Sequence, residues 1–212
     1  MNPYKKILFP ITIFHTNIRE NNRLKEKYLP LMNECYSSGK LRPPEGWITN
    51  NVQTSFNHDE FNQEIFDQEI VGVYQKYIER FFDDVVKFDF VDLWFNWYEK
   101  GEYQEAHNHL NPDIFDSTVA HFAVIHYLRF DPEVHEAATF VDPIVNQRYN
   151  TFEMRSTHYS PKYCPKVDEG DIIMFPNYLE HYVKQAPPTE NNPRVTVSFN
   201  ISVKKYGKLE RF

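Results

Sequence analysis

The 212-residue chain has only two cysteines, Cys35 and Cys164, and neither belongs to a C-x-x-C pair. That excludes a thiolate metal cluster and a disulfide framework, and it fits a reducing cytoplasm. Long hydrophobic runs are missing too. No stretch of about 18 apolar residues exists to cross a bilayer as a helix. The opening MNPYKKILFP has no long apolar core of the kind a secretory signal needs. Positive charge is in deficit: 23 Lys and Arg stand against 30 Asp and Glu, a net −7, which argues against nucleic acid as a general partner. There is no internal repeat and no low-complexity segment.

Aromatic residues are abundant: 17% of the chain, with 18 Phe and 14 Tyr. This suits a β-rich fold with a wide, lined cavity. The length suits a single domain with a substantial core. Charge is uneven. Residues 1–50 carry 8 basic and 4 acidic side chains (+4), and residues 51–105 carry 4 and 13 (−9). Both read as solvated faces.

Residues 4–14 are β-branched and aromatic around Pro10, predicting an edge or broken strand that could pair with a second copy in a homodimer. Residues 17–37 predict a helix with Leu24, Tyr28, Leu31 and Cys35 on one face, kinked or split at Pro30. A second helix is expected from a cap at Asn57 or Asp59, with Phe66, Ile70, Val73, Tyr77 and Phe81 as its stripe. From residue 86 onward the pattern turns to strands: 86–98, 120–130, 139–141, 172–175 and 194–203. Residues 143–168 form a polar stretch expected to be a lid or binding loop. Two helices before about eight strands predict an α+β chain that is mainly β: a double-stranded β-helix, or jelly roll, spanning 86–203. Residues 1–85 would supply the flanking elements and 204–212 a tail.

His107 and His109 follow a strand-like run and the turn at Gly101, and side chains at i and i+2 of an extended segment face one side. His181 lies beyond the strand at 172–175. Neutral imidazole is a common transition-metal ligand, so a close pair with a distant third reads as a metal site. Two surface histidines in a polar loop would give the same spacing. On the last strand, alternation puts Arg194, Thr196, Ser198 and Asn200 on one face and Val195, Val197, Phe199 and Ile201 on the other. His126 is expected to face the helices, His121 to sit in the core or rim, and His15, His58, His135 and His158 to lie on the surface. Trp94 and Trp97 are expected in the core.

The run N-W-Y-x-x-G-x-Y-Q-x-x-H-N-H, then H-Y-L, then E-G-D-I-I-M-F-P-x-x-L-x-H-x-V, then R-V-T-V-S-F-N resembles the Fe(II)- and 2-oxoglutarate-dependent oxygenases. More narrowly it is similar to a prolyl-hydroxylase-like branch found in marine phages and bacteria. The resemblance covers residues 90–203 and implies a jelly-roll dioxygenase with Fe(II) as cofactor and 2-oxoglutarate as cosubstrate. It implies a hydroxylase-type reaction on a peptide or protein side chain. It places the metal at His107, His109 and His181, and the 2-oxoglutarate carboxylate at Arg194, Ser198 and Tyr127, with Gln104 and Asn96 lining the pocket. The family usually binds iron with His-x-Asp/Glu and a distal His. Here His109 stands where the carboxylate would be. Three readings follow: a three-histidine site, a carboxylate from Asp113 or Asp116, or a two-histidine site with an open position. Two other classes share the jelly roll: a three-histidine dioxygenase that does not use 2-oxoglutarate, and a non-catalytic binding or virion-associated module.

Overall fold

The computed structural model describes residues 11–43, 51–82, 86–110, 119–148, 160–185, 188–189 and 191–205. Ten strands form two antiparallel sheets. The larger has the order β1-β8-β5-β10-β3-β2, and the smaller β4-β9-β6-β7. The strands are β1 (Phe14–Asn17), β2 (Gln53–Thr54), β3 (Val86–Tyr98), β4 (Gln104–His107) and β5 (Phe122–Arg129). They continue with β6 (Thr139–Val141), β7 (Lys162–Tyr163), β8 (Asp171–Pro176), β9 (His181–Val183) and β10 (Arg194–Lys205). Helices α1 (Asn21–Ser37), α2 (Asp59–Ile65) and α3 (Gln68–Ile78) precede β3, and the short α4 (Val145–Arg148) follows β6. This is the expected jelly roll with N-terminal flanking helices.

Alternation on β10 organises both cores. Val195, Val197, Phe199 and Ile201 are fully buried against Leu24, Tyr28, Ile70 and Tyr74 of the helices. The opposite face turns inward between the sheets. There Ala123, Ile125 and Tyr127 of β5 meet Phe140 and Val183 of the smaller sheet. Arg194, Thr196, Ser198 and Asn200 are buried on that same inner side. A sheet apolar on one face and polar on the other, both enclosed, makes an interior suited to a polar ligand.

The helices differ from the sequence reading. Helix α1 runs unbroken through Pro30, and starts at Asn21. The second stripe is divided between two helices, because Asp67 stops one and caps the next, accepting from the backbone N–H groups of Glu69 and Ile70. The cap position of α2 is His58, not Asn57 or Asp59, and its side chain makes no cap bond. Most of the strand expected over 4–14 lies outside the described residues, as do the 206–212 part of the tail and much of the expected lid. The described flanks of that lid hold α4 and β7.

His126 faces the helices, as expected. Its Nδ1 bonds to the Tyr74 hydroxyl at 3.0 Å and its Nε2 to Asn21 Oδ1 at 2.9 Å. His135, expected on the surface, is buried instead. It accepts from Asp131 N through Nδ1 and donates to Asn192 O through Nε2, which ties the turn after β5 to the start of β10.

Candidate metal and cosubstrate site

Strands β4 and β9 pair so that His107 stands directly opposite His181. The rings lie 4.3 Å apart, and His109 sits 5.4 Å from His107 and 5.2 Å from His181. One ring nitrogen from each lies within 4.8 Å of the other two. His109 has just left β4, and its backbone N–H is held by Asn177 O at 2.8 Å, at the end of β8. Asp113 and Asp116 lie outside the described residues.

The donor chemistry fits a metal. Each histidine has its Nδ1 against an oxygen: Glu105 O at 2.8 Å for His107, Asn200 Oδ1 at 2.7 Å for His109 and Leu179 O at 3.1 Å for His181. An oxygen acceptor requires the proton on Nδ1, which leaves the lone pair on Nε2 in all three rings. Burial pushes all three histidines below their ordinary value, His109 to about 4, and repulsion from the neighbouring histidines adds to the effect at His109 and His181. The rings are therefore neutral, which is the ligand form.

A consequence for pH follows. In the unfolded chain these histidines take up protons near pH 6.5, but in the folded chain they resist protonation to well below that. Their contribution to stability is full above about pH 6.5 and is lost as pH falls toward 4. The metal-free protein should therefore unfold at steadily lower denaturant concentration between pH 7 and pH 5, with His109 alone contributing about 1 kcal/mol of the loss at pH 5.5. Within the folded protein, by contrast, protons compete weakly for the site. Metal affinity should fall clearly less between pH 7.5 and 6 than the roughly 50-fold that three exposed histidines would lose. Competition titrations at both pH values measure this.

From His107 a line of polar contacts leads to the buried cation. Gln104 Nε2 sits 3.4 Å from His107 Nε2, and Gln104 Oε1 accepts from the Tyr98 hydroxyl at 3.1 Å. The Arg194 guanidinium lies over the Tyr98 ring, 4.1 Å from its centroid. Arg194 is 5% exposed, and one of its nitrogens donates to Glu136 O at 2.6 Å. Its Nε is buried without a hydrogen-bond partner, as is Thr139 Oγ1. No carboxylate pairs with Arg194 among the described residues. Burial pushes the Tyr98 phenol up to about 12 and raises Tyr127 as well, so both remain protonated beside Arg194. The Tyr127 hydroxyl accepts from Ala138 N at 3.1 Å.

Of the residues singled out in the sequence, His107, His109 and His181 thus converge with Gln104 against His107, and Arg194 lies near enough to Tyr127 for its charge to act on the phenol. Ser198 stands four positions along β10 from Arg194, about 13 Å at strand rise, and its hydroxyl accepts from Asn96 Nδ2 at 3.4 Å. Thr196 lies between them, 1% exposed on the same face. Tyr98 and Thr139 are not singled out by the sequence, and Asn200 is placed by it only on the polar face of the last strand, since their partners depend on strand register. Trp94, expected as core, stacks on His109 at 5.8 Å and lines a cavity of about 320 Å³ with Phe56, Asn62, Phe66 and Asp92, between α2 and β3.

A jelly roll in which buried His181 and half-buried His107 and His109 converge, near a buried arginine with no carboxylate partner among the described residues, fits a non-haem metal site with a carboxylate-binding arm. Residues 92–200, just over half of the chain, match the model of the family described as "Putative 2OG-Fe(II) oxygenase", and the chain belongs to that family. It is an oxygenase that uses Fe(II) and 2-oxoglutarate. No curated protein matches it by sequence. Solved structures do match. A viral collagen prolyl hydroxylase from Paramecium bursaria Chlorella virus-1, in complex with 2-oxoglutarate, is 15% identical over 91% of this chain and 96% of its own (TM-score 0.52). A prolyl hydroxylase from Trichoplax adhaerens, in complex with a hypoxia-inducible-factor peptide, is 11% identical over 89% and 82% (TM-score 0.57). The α-ketoglutarate-dependent epimerase SnoN of nogalamycin biosynthesis is 12% identical over 91% and 78% (TM-score 0.59). At these identities the likeness establishes the fold, and that fold hosts both hydroxylation and epimerisation.

Proposed function

We propose that His107, His109 and His181 hold the iron, and that Arg194 holds the distal carboxylate of 2-oxoglutarate, with Tyr127 and Gln104 nearby and Ser198 further along the same face of β10, toward the rest of the cosubstrate. The observation that carries this reading is Arg194: a buried cation with an unpartnered Nε and, among the described residues, no carboxylate in salt-bridge contact. Such a charge is costly unless an anion completes it. A guanidinium fork takes a carboxylate in a bidentate manner. The line Arg194–Tyr98–Gln104–His107 links that anchor to the proposed metal ligands through successive contacts.

Iron and 2-oxoglutarate, when bound, would supply oxidative decarboxylation with O2 as the oxidant, one oxygen atom going to succinate as CO2 leaves and the other to oxidation of a substrate C–H bond. The protein's own work is to bind and orient. Three Nδ1–H groups fix the imidazoles, and protonated Tyr98 and Tyr127 line the wall around the cosubstrate arm. The apolar packing of Phe140, Phe175 and Val183 keeps water from the enclosed side.

The proposed substrate is a peptide or protein side chain approaching by the cavity beside Trp94. The neighbouring prolyl hydroxylases support this reading, as does the position of Trp94 between that cavity and His109. Offered pooled peptides under Fe(II), 2-oxoglutarate and O2, the protein should release succinate in step with a +16 Da product. Stimulation by small metabolites with none by peptides would reject the peptide reading.

A further inference from the structure

The three candidate ligands are not oriented alike. His107 and His181 each donate through Nδ1 to a backbone carbonyl two residues earlier in their own segments, Glu105 O and Leu179 O. His109 instead donates to a side chain on another strand, Asn200 Oδ1, at 2.7 Å. Asn200 in turn donates through Nδ2 to Asp92 Oδ2 at 3.0 Å. The polarity of this chain is fixed by chemistry. A carboxylate only accepts, so Asp92 takes the amide N–H, the amide oxygen faces His109, and His109 must carry its proton on Nδ1.

The register supports the arrangement. Asn200 pairs directly with Asp92 across β10 and β3, and a bulge follows at once, where Ile201 pairs with Phe90 and Val91 is left over. Bulges of this kind re-aim side chains next to sites. No cation pairs with Asp92 among the described residues, so its charge is directed at the Asn200 amide.

We propose, resting on the three-histidine reading above, that Asn200 and Asp92 are positioning residues that return to the metal, one shell further out, the negative charge that His109 does not bring. The carboxylate polarises the amide. The amide oxygen then becomes a stronger acceptor for the His109 proton, and His109 Nε2 a stronger donor to a cation. The site is thus a neutral three-nitrogen set with a built-in counter-charge hydrogen-bonded to it through His109.

The test is metal affinity of the folded protein, by anaerobic chelator competition with Fe(II) and by the visible spectrum of bound Co(II). Asp92→Asn keeps an acceptor for Asn200 and removes only the charge. It should weaken Fe(II) about 10-fold, within the 10- to 100-fold range of outer-shell changes. Asn200→Leu, which removes the hydrogen bond, should weaken it by up to about 100-fold. The decisive variant is the exchange Asp92→Asn with Asn200→Asp. It moves the carboxylate onto His109 while an amide supports it from behind, and it should restore affinity to the wild-type level or above and shift the Co(II) bands. Near-wild-type binding by Asp92→Asn, or an exchange variant no better than Asp92→Asn alone, would overturn the relay. If Asn200→Leu does not fold, the other two still decide. Failure of the three-histidine reading itself looks different: His109→Ala would then bind Fe(II) as wild type does.

Discussion

His181→Ala should lower Fe(II) affinity by more than about 100-fold, beyond the range of outer-shell changes, and bring 2-oxoglutarate turnover down to background. His181 is 3% exposed, stands opposite His107 across the β4–β9 pair, and is the ligand brought in from the distant segment. Its loss leaves two nitrogens on one short strand end, too few to enclose an ion. The pH argument separates this loss from misfolding. His181 is one of the buried neutral histidines that weaken the fold in acid, so its removal should leave the metal-free protein at least as stable at pH 5.5 relative to pH 7 as the wild type is. Chelator competition and denaturant titration on the same preparation check both statements. His181→Gln, closer in volume, should behave alike in metal binding.

Arg194→Ala should leave iron binding within about 2-fold and weaken 2-oxoglutarate by roughly 100-fold or more, about 3 kcal/mol, as when one member of a buried charge pair is truncated. The expectation rests on the separation of functions along the Arg194–Tyr98–Gln104–His107 line: the arginine touches Tyr98 and Glu136, not the histidines. Arg194→Lys should recover only part of the loss, because an ammonium lacks the planar fork and the stacking on Tyr98. Calorimetric titration of 2-oxoglutarate into Mn(II)-loaded protein without O2 measures both variants. A further effect concerns the empty-handed protein. The wild type holds an unpaired buried cation, so Arg194→Ala should stabilise the cosubstrate-free form, or at least not weaken it, while abolishing the stabilisation that 2-oxoglutarate confers.

Much of this architecture was legible in the sequence, for physical reasons that can be named. The period of two on β10 separates Arg194, Thr196, Ser198 and Asn200 from Val195, Val197, Phe199 and Ile201, and burial on both faces leaves no freedom to slip by one residue. The same logic placed Tyr127 inward and His126 toward α1 and α3. The helical region was less legible. A stripe of apolar residues continues from Phe66 through Phe81, so periodicity alone does not reveal that Asp67 interrupts it. The sign was there in an aspartate three residues before Ile70, where it could cap. His135 had no local sign at all: its partners are a backbone N–H in its own turn and a carbonyl 57 residues away. The same holds for the Asp92–Asn200–His109 chain and for Tyr98. Each depends on which residues oppose one another across strands, and that is set by register and by a bulge, not by spacing. The sequence could show that a histidine replaced the usual carboxylate, but not where a compensating carboxylate lay.

The central claim is that one buried site joins iron on His107, His109 and His181 to 2-oxoglutarate on Arg194. The most direct measurement is an anaerobic titration of 2-oxoglutarate into Fe(II)-loaded protein, followed in the visible for the metal-to-ligand charge-transfer band of the chelate. The account predicts a band that saturates at one equivalent, needs much higher 2-oxoglutarate in Arg194→Ala, and is missing in His181→Ala. Iron bound tightly with no band at any 2-oxoglutarate concentration, or a band unchanged by Arg194→Ala, would contradict it.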